Sequence, residues 1–396
     1  MLGRSSNNLK TGIIGLANIG KSTFFQAITN STLGNPANYP FATIKPSQAV
    51  LQIPNPHLDT LQRLYGAERI VHDTLTVWDI AGLTRDASRG KGLGNLFLND
   101  IRGVDGLFHI VRNFTDDNVT HLEGSVNPVR DLEIVQDELI LKDLEFLESA
   151  MERDRKKSIG KKASVGKKAS DNDVANIAFE LEFLEAIRDH LYEGKKIYNF
   201  RKQWTDHREV DILNKFNFLT AKPSMILLNC DAKPYVDGEN IPHLDEVKEW
   251  TAEFAPADLI LPFSASVETA INKYKRGETR EIDPTTHNRS ALPDIIVNMK
   301  SLLGLISFYT CGDIEVKQWN IKRGTTAQEA ASVIHSDLQR TFISASIIKF
   351  DDIKDIDPPL SLSSLKSKGL IKRCGRDYVM EDEDIALFHA ASGKSR

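Results

Sequence analysis

The spacing of apolar residues changes several times along the chain, and each spacing predicts a different kind of element. Short apolar runs, the first two of which end at a glycine, are typical of buried parallel strands. These runs are TGIIGL (11–16), LTVWDIAGL (75–83), VDGLFHIVRNF (104–114), residues 223–230 and DLILPFSA (258–265). Because they alternate with helical patterns, the predicted fold class is α/β with a parallel sheet.

A helical spacing replaces this pattern between residues 130 and 215. Apolar residues recur at steps of three and four in two stretches, Ile140, Leu144, Leu147 and Met151, then Val174, Ile177, Leu181, Leu184, Ile187 and Leu191. This spacing predicts two amphipathic helices that form an antiparallel hairpin. We therefore expect residues 130–215 to be a helical insertion into an α/β domain formed by residues 1–129 and 216–303.

From about residue 304 the pattern changes to short strands around one helix. EVKQWNI (315–321), SASIIKF (344–350) and DYVMEDEDIALFHA (377–390) are the strand candidates. Thr326 and Glu329 make a capping box for the helix AQEAASVIHSDLQ, residues 327–339. Residues 304–396 are therefore predicted to form a small β-grasp domain.

Length and composition limit the classes of protein to which the chain can belong. A chain of 396 residues exceeds one ordinary core, so two or three domains are expected. The net charge of −5 gives no overall basic field for nucleic acid, so such a contact must be local. The three cysteines, Cys230, Cys311 and Cys374, form no C-x-x-C pair, which argues against a disulfide framework and favours a reducing compartment.

The sequence also bears on location. No apolar run reaches the roughly 18 residues that a transmembrane helix needs, so no membrane contact is expected. The first ten residues, MLGRSSNNLK, resemble a transit peptide in composition but run almost at once into a predicted strand. We expect a cytoplasmic monomer rather than a mitochondrial protein.

The strongest chemical motif is GLANIGKST, residues 15–23, which lies between a predicted strand and a predicted helix. It matches G-x-x-x-x-G-K-[ST], in which the glycines allow a tight loop whose N–H groups point at phosphate oxygens. Lys21 would pair with the β- and γ-phosphates, and Ser22 would offer a hydroxyl to Mg²⁺. The motif predicts a binding site for nucleotide phosphates.

A second motif, Asp79 to Gly82, ends the strand LTVW and matches the Asp-x-x-Gly of P-loop switch enzymes. Asp79 would hold Mg²⁺ through water, and the Gly82 N–H would contact the γ-phosphate. Thr43, in YPFATIKP, is a candidate Mg²⁺ ligand in a first switch loop, the alternative being an ordinary loop threonine.

The residue that follows the second motif is unusual. Leu83 stands where many switch GTPases have the glutamine that orients the attacking water, so the catalytic group is unknown. Asn18 could help coordinate a monovalent cation such as K⁺ beside the phosphates, or could be an asparagine chosen for turn geometry.

The base-reading loop also departs from the GTPase pattern. Asn229, Cys230, Asp231 and Ala232 stand where Asn-Lys-x-Asp would read guanine. Ala232 has no acceptor for the guanine N1–H and amino groups, and Asp231 lies one residue too early. Strong selectivity for guanine is therefore not expected.

These motifs together resemble the YchF / Obg-like ATPase family. The resemblance rests on GLANIGKSTFF, NYPFATIKP, DIAGLTRDASRGKGLGNLFL, HLEGSVNPVRDLEI and IKRGTTAQEAASVIHSDLQRTFI, which span most of the chain. It implies a P-loop G domain, an inserted antiparallel coiled coil and a C-terminal TGS domain. It also implies Mg²⁺-dependent hydrolysis of ATP in preference to GTP and association with ribosomes.

The resemblance carries individual roles to this chain. By position, Asn18, Ile19, Gly20, Lys21, Ser22 and Thr23 bind phosphates together with Gly15, Ser22 and Thr43 bind Mg²⁺, and Asn229 and Cys230 meet the adenine. Ser264 and Ala265, at the end of the last strand run, are expected to complete the nucleotide site. Two departures are that Ala232 replaces the glutamate usual in the family, and that Ser88 replaces a histidine found in many members.

A lysine-rich segment is a candidate for contact with rRNA. Arg153, Arg155 and six lysines between 156 and 168 would lie at the tip of the helical hairpin, and the alternative is a solvated loop. The TGS-like domain could likewise bind RNA or protein.

Three functions remain open from the residues. The favoured one is a nucleotide-driven ATPase. The others are a GTPase with weak base selectivity and a nucleotide-gated ribosome-binding module with negligible turnover.

Overall fold

The computed structural model describes residues 9–31, 48–80, 93–116, 118–121, 123–163, 171–238, 240–279, 286 and 289–391. Two six-stranded sheets organise this part of the chain. The first contains β1 (Lys10–Ile14), β2 (Gln48–Gln52), β4 (Thr74–Asp79), β5 (Gly106–Asn113), β6 (Ser224–Cys230) and β7 (Leu259–Phe263). The second contains β3 (Arg69–Val71), β8 (Leu305–Cys311), β9 (Glu315–Lys322), β10 (Phe342–Lys349), β11 (Lys372–Cys374) and β12 (Asp384–Ala390).

Helices surround both sheets, and no helix of the described part is long and apolar enough to cross a membrane. Their bounds are α1 (Lys21–Thr29), α2 (His57–Tyr65), α3 (Leu93–Arg102), α4 (Pro128–Ala163), α5 (Asp171–Tyr192), α6 (His207–Phe216), α7 (Ala232–Asp237), α8 (Leu244–Phe254), α9 (Ala265–Lys275), α10 (Leu292–Leu302), α11 (Ala327–Ile334), α12 (Ser336–Arg340) and α13 (Leu362–Ser367).

The first sheet has the order β2-β4-β1-β5-β6-β7. All its neighbouring strands are parallel except β2, which is antiparallel to β4. Every residue of β5 and β6 is buried, as expected for central strands covered by helices on both faces. The α/β class predicted from the apolar runs is confirmed.

The helical insertion is an antiparallel pair of α4 and α5. The hydroxyl of Tyr192 donates to Glu148, and Arg155 pairs with Glu185, so the positions that face each other run in opposite directions along the two helices. The predicted apolar stripes meet in one buried cluster, which includes Ile140, Leu144, Leu147, Met151, Leu184, Ile187 and Leu191.

A buried carboxylate connects this insertion to the first sheet. Asp143 on α4 is fully buried and accepts hydrogen bonds from the backbone N–H groups of Leu219 (2.9 Å) and Thr220 (2.8 Å) and from the Thr220 hydroxyl (2.7 Å). Leu219 and Thr220 lie just before β6. The contact therefore sets the position of α4 relative to the strand that carries Asn229.

The second sheet has the order β11-β10-β12-β8-β9-β3 and mixes parallel and antiparallel pairs. The capping box of Thr326 and Glu329 is present at the start of α11. The predicted single helix is wrong at its end, because His335 has extended backbone and its ring accepts from the Asp337 N–H to cap a separate helix, α12. The strand predicted over residues 377–390 is also shorter, beginning at Asp384.

Part of the N-terminal region packs with the second sheet. Strand β3 pairs in parallel with β9, and the buried face of α2 joins Tyr309, Val316 and Ile385 in one apolar cluster. The half-buried Asp73, just after β3, accepts from the backbone N–H groups of Thr74 (2.7 Å) and of Asn320 in β9. Within residues 1–129, β3 is therefore a strand of the second sheet and α2 packs against that sheet.

We predict that Asp143→Ala lowers the free energy of unfolding by about 3 kcal/mol, because it leaves buried N–H donors without acceptors. Chemical denaturation measures the loss. Asp211→Ala on α6, where the side chain is exposed, is the matched control and should change stability by less than about 0.5 kcal/mol. Equal effects of the two substitutions would contradict the proposed anchoring.

Candidate nucleotide-binding site

The candidate site lies at the edge of the first sheet where the parallel strands end. Strand β1 has β4 on one side and β5 on the other, so the strand order reverses direction at β1. Ligands of α/β sheets bind outside the carboxyl ends of the strands at such a point. The ends of β1, β4, β5, β6 and β7 bring the loop after Ile14, Asp79, Asn113, Cys230 and Ser264 to this edge.

Two glycines give the phosphate loop its shape. Gly15 has φ +141° and Gly20 has φ +97°, conformations that L side chains rarely adopt. A Cβ on Gly15 would lie 2.5 Å from the carbonyl oxygen of Ile110, and a Cβ on Gly20 would overlap the amide nitrogen of Asn229. Only glycine fits at these positions, which lie between β1 and α1 as the motif predicts.

Lys21 lies inside this loop. Its side chain is buried, and its ammonium donates to the backbone carbonyls of Gly15 (3.2 Å) and Leu16. Burial lowers the pKa of Lys21 to about 8, and the nearby charge of Asp79 opposes the shift. An ammonium has three donors, so these two bonds leave one for a phosphate oxygen.

Ser22 and Asp79 are adjacent at the mouth of the loop. Burial raises the pKa of the Asp79 carboxyl, while the charge of Lys21 and a hydrogen bond from Ser22 act in the opposite direction. Ser22 and Thr23 are exposed in the first turn of α1. The structure thus brings Lys21, Ser22 and Asp79 together, as the two motifs require.

Asn18 stands at the outer side of the loop in the left-handed conformation, with φ 61°. Its amide nitrogen donates to the carbonyl of Thr120 at 3.2 Å, and its own carbonyl accepts from the Arg112 guanidinium at 3.5 Å. The following residue, Ile19, is buried in the core of the domain.

Asn229 joins the phosphate loop to the loop after β7. Its amide nitrogen donates to the carbonyl of Ile19 at 3.0 Å, and its amide oxygen accepts from the backbone N–H of Ala265 at 3.0 Å. Ser264, fully buried, shares a hydrogen bond with the hydroxyl of Ser266 at 3.0 Å. Asn229 therefore positions the loops on either side of it.

The rest of the base loop offers no free carboxylate at the guanine-reading position. Asp231 accepts from the backbone N–H (3.2 Å) and the hydroxyl (3.3 Å) of Thr115. Ala232 is exposed at the start of α7. The Cys230 thiol is buried and donates to Leu228 O at 3.2 Å, and burial raises its pKa to about 11.

Other predicted positions cannot be placed. Thr43, Gly82, Leu83 and Ser88 lie outside the described residues. Of the lysine-rich tip, α4 extends to Ala163, and residues 164–170 lie outside the described part of the chain.

The structure adds residues that sequence reasoning missed. Arg112 and Asn113 end β5, and Thr115 follows; Asn113 donates to the Pro242 carbonyl at 2.8 Å and to the Cys230 sulfur at 3.5 Å. The available signal was their place directly at the end of a predicted buried strand. Parallel strands end at one edge, so these residues could have been assigned to the site from the topology.

Comparisons with known proteins agree with this geometry. A family model described as a 50S ribosome-binding GTPase matches residues 10–142. A model of the C-terminal region of YchF GTPases, described as a protein of unknown function, matches residues 305–391.

Relatives of known name match over the whole length. The Obg-like ATPase homolog of Saccharomyces cerevisiae is 55% identical over 100% of this chain and 97% of its own, and the Obg-like ATPase 1 of Homo sapiens is 36% identical over 98% and 94%. The solved structure of the Schizosaccharomyces pombe YchF GTPase is 39% identical, covers 98% of this chain and 100% of its own, and has a TM-score of 0.85. The chain belongs to the YchF / Obg-like ATPase family of P-loop nucleotide-binding proteins.

Proposed function

We propose that this chain hydrolyses ATP in preference to GTP with Mg²⁺, and that it is a switch protein of the ribosome. The observation that carries the preference is the base loop, in which Ala232 stands at the guanine-reading position and has no carboxylate. A guanine reader needs an acceptor for the N1–H and amino groups, and a site that lacks it leaves those donors unpaired.

Three contacts support this reading of the base loop. Both amide atoms of Asn229 are engaged with Ile19 and Ala265, so its amide serves the loops. One oxygen of the Asp231 carboxylate, Oδ2, accepts from the backbone N–H and the hydroxyl of Thr115. The names of the relatives differ, since the curated proteins are called Obg-like ATPases and the solved structure a YchF GTPase. The missing acceptor at Ala232 favours ATP as the substrate of this chain.

The donors at the loop mouth fit Mg²⁺. The hydroxyl of Ser22 and the carboxylate of Asp79 are hard oxygen ligands, and they are already close enough to share a hydrogen bond. In nucleotide-binding sites, Mg²⁺ has few protein ligands because phosphate oxygens and water supply the others. When bound, the ion neutralises charge on the transferred phosphoryl group. Ser22 and Asp79 would hold it, with Thr43 as the further proposed ligand.

The catalytic water must be oriented by a group other than the usual glutamine, because Leu83 cannot form hydrogen bonds with its side chain. We propose K⁺ beside Asn18 as one contributor. The amide nitrogen of Asn18 faces the Thr120 carbonyl, so its amide oxygen is the atom that would meet a cation.

Ribosome association is proposed on two grounds. The matched family model carries the description 50S ribosome-binding GTPase. The hairpin tip concentrates Arg153, Arg155 and lysines, and basic side chains of this kind bind RNA phosphates in a salt-dependent way.

The lowered pKa of Lys21 makes nucleotide binding depend on pH. Phosphate oxygens pair with the ammonium form, which is present below a pKa of about 8 and is lost as the pH rises through it. Binding therefore takes up a proton above that pH, and the affinity for nucleotide must fall as the pH increases.

We predict that the affinity for MgADP changes little between pH about 7 and 8, above the titration of the phosphate, and falls above pH about 8 by up to about tenfold per pH unit. Calorimetric titrations in buffers of different ionisation enthalpy measure both the affinity and the proton uptake. An affinity that does not change across this range, without proton uptake, would show that Lys21 keeps its ordinary pKa.

The proposed function predicts single-turnover release of phosphate from ATP at a higher rate than from GTP with Mg²⁺. Lys21→Ala removes the ammonium and should abolish release from both. Faster release from GTP would favour a GTPase, and release equal to the Lys21→Ala background would favour a binding module without turnover.

A variant of the base loop tests whether Ala232 is responsible for the preference for ATP over GTP. Ala232→Asp supplies the missing acceptor and should shift the preference toward GTP by about tenfold, because a hydrogen bond to a carboxylate contributes about 1.5–3 kcal/mol. Ala252→Asp, at an exposed position of α8, adds the same charge and should leave the ratio unchanged.

A further inference from the structure

Arg112 is an unusual buried residue beside the phosphate loop. Only 3% of it is exposed, and buried arginines are ordinarily paired with carboxylates. Its described acceptors are all backbone carbonyls, including those of Phe114 (3.1 Å), Val119 (2.9 Å) and Asp116 (3.3 Å). The guanidinium also lies over the Phe114 ring, 4.5 Å from its centroid. One side chain therefore contacts both described parts of the segment, residues 114–116 and 118–120.

This segment contacts the phosphate loop at Asn18. The Thr120 carbonyl accepts from the Asn18 amide at 3.2 Å, and the guanidinium of Arg112 donates to the Asn18 carbonyl at 3.5 Å. Asn18 has φ 61°, a left-handed conformation that residues with a Cβ seldom adopt and that asparagine adopts more readily than most of them. Arg112 thus contacts the backbone of Asn18 directly. It also contacts the segment whose Thr120 carbonyl accepts from the Asn18 side chain.

The far end of the segment is anchored as well. His121 is buried, its Nε2 lies 2.9 Å from the Asp131 carboxylate on α4, and its Nδ1 accepts from the Glu123 N–H at 3.0 Å. Arg130 pairs with the other Asp131 oxygen at 3.0 Å. The contacts of Arg112 and of His121 therefore lie on either side of the Thr120 carbonyl that accepts from Asn18.

We propose that Arg112 is a positioning residue of the nucleotide site, which keeps Asn18 left-handed and so holds the phosphate loop in its binding form. The proposal rests on the proposed function only in that the site binds a nucleotide through its phosphates. Because the phosphates are common to all nucleotides, loss of Arg112 weakens adenine and guanine nucleotides by the same factor.

The test is a calorimetric titration of MgADP into four forms of the full chain: wild type, Arg112→Met, Asn18→Gly and the double variant. Arg112→Met should weaken binding about fivefold, the low end of the left-handed cost, because asparagine tolerates this conformation better than most residues with a Cβ. Asn18→Gly removes the side chain proposed to meet K⁺, so its own affinity is measured as the baseline of that background. Glycine adopts the left-handed conformation without support, so in this background Arg112→Met should weaken binding by less than about twofold.

If Arg112 had only a general structural role, Arg112→Met would weaken MgADP binding in the Asn18→Gly background as well. A smaller effect in that background therefore identifies the positioning role. If Arg112→Met weakens binding equally in both backgrounds, or in neither, the proposal is wrong. Arg102→Met is the matched control, because it removes a half-buried arginine that lies over Phe146 at 4.3 Å, and it should leave MgADP affinity unchanged.

A second pair of variants covers the case in which Arg112→Met does not fold. Asn18 is exposed, so Asn18→Ala and Asn18→Gly should both fold, and alanine should bind MgADP about tenfold more weakly than glycine. Equal affinities would contradict the proposal. A parallel MgGDP titration separates it from the proposed function, since a wild type that favours MgGDP overturns the adenine preference and leaves the Arg112 comparison measurable.

Discussion

The amide of Asn229 is the contact on which the nucleotide site depends. It donates to the phosphate loop at Ile19 and accepts from the loop after β7 at Ala265, both at 3.0 Å. Asn229 sits near the end of β6, a strand with every residue buried, so its backbone has little freedom to move. The same amide lies where a Cβ of Gly20 would be, which explains why the phosphate loop needs glycine there. Phosphate and base regions are therefore built as one unit.

Buried polar contacts also connect the other parts of the chain to this unit. Asp143 holds α4 against the residues that precede β6. Lys196, just after α5, pairs with Asp258, and the Ser224 hydroxyl donates to the same carboxylate at 2.7 Å. Ser224 is the first residue of β6, so α4 and the segment after α5 are both fixed relative to this strand. Removing one partner of such a pair costs more than the pair contributes, because the other charge stays buried.

The sequence predicts the elements that depend on local patterns. The phosphate loop, the capping box of Thr326 and the apolar stripes of the hairpin each follow from residues close in the chain, and the structure contains them. The pairing of β3 with β9 could not be predicted in this way, because its partners are about 246 residues apart and neither short strand has a distinctive pattern. The break at His335 was missed because its ring caps the next helix, a role that periodicity does not reveal.

In the candidate site, too, some residues could be predicted from local motifs and others could not. Lys21, Ser22 and Asp79 were predicted from motifs and lie together. Arg112 and Thr115 were not predicted, since their roles are contacts with Asn18 and Asp231, which are distant in the sequence. The contact of Asp231 with Thr115 bears most on function, because one oxygen of a carboxylate near the base loop accepts from Thr115.

The proposed adenine preference is tested most directly by equilibrium competition. ATP and GTP would each displace a fluorescent ADP analogue from the wild-type chain with Mg²⁺ present. The missing acceptor at Ala232 predicts that ATP displaces it at a concentration about tenfold lower than GTP does. Displacement by GTP at an equal or lower concentration would contradict the account.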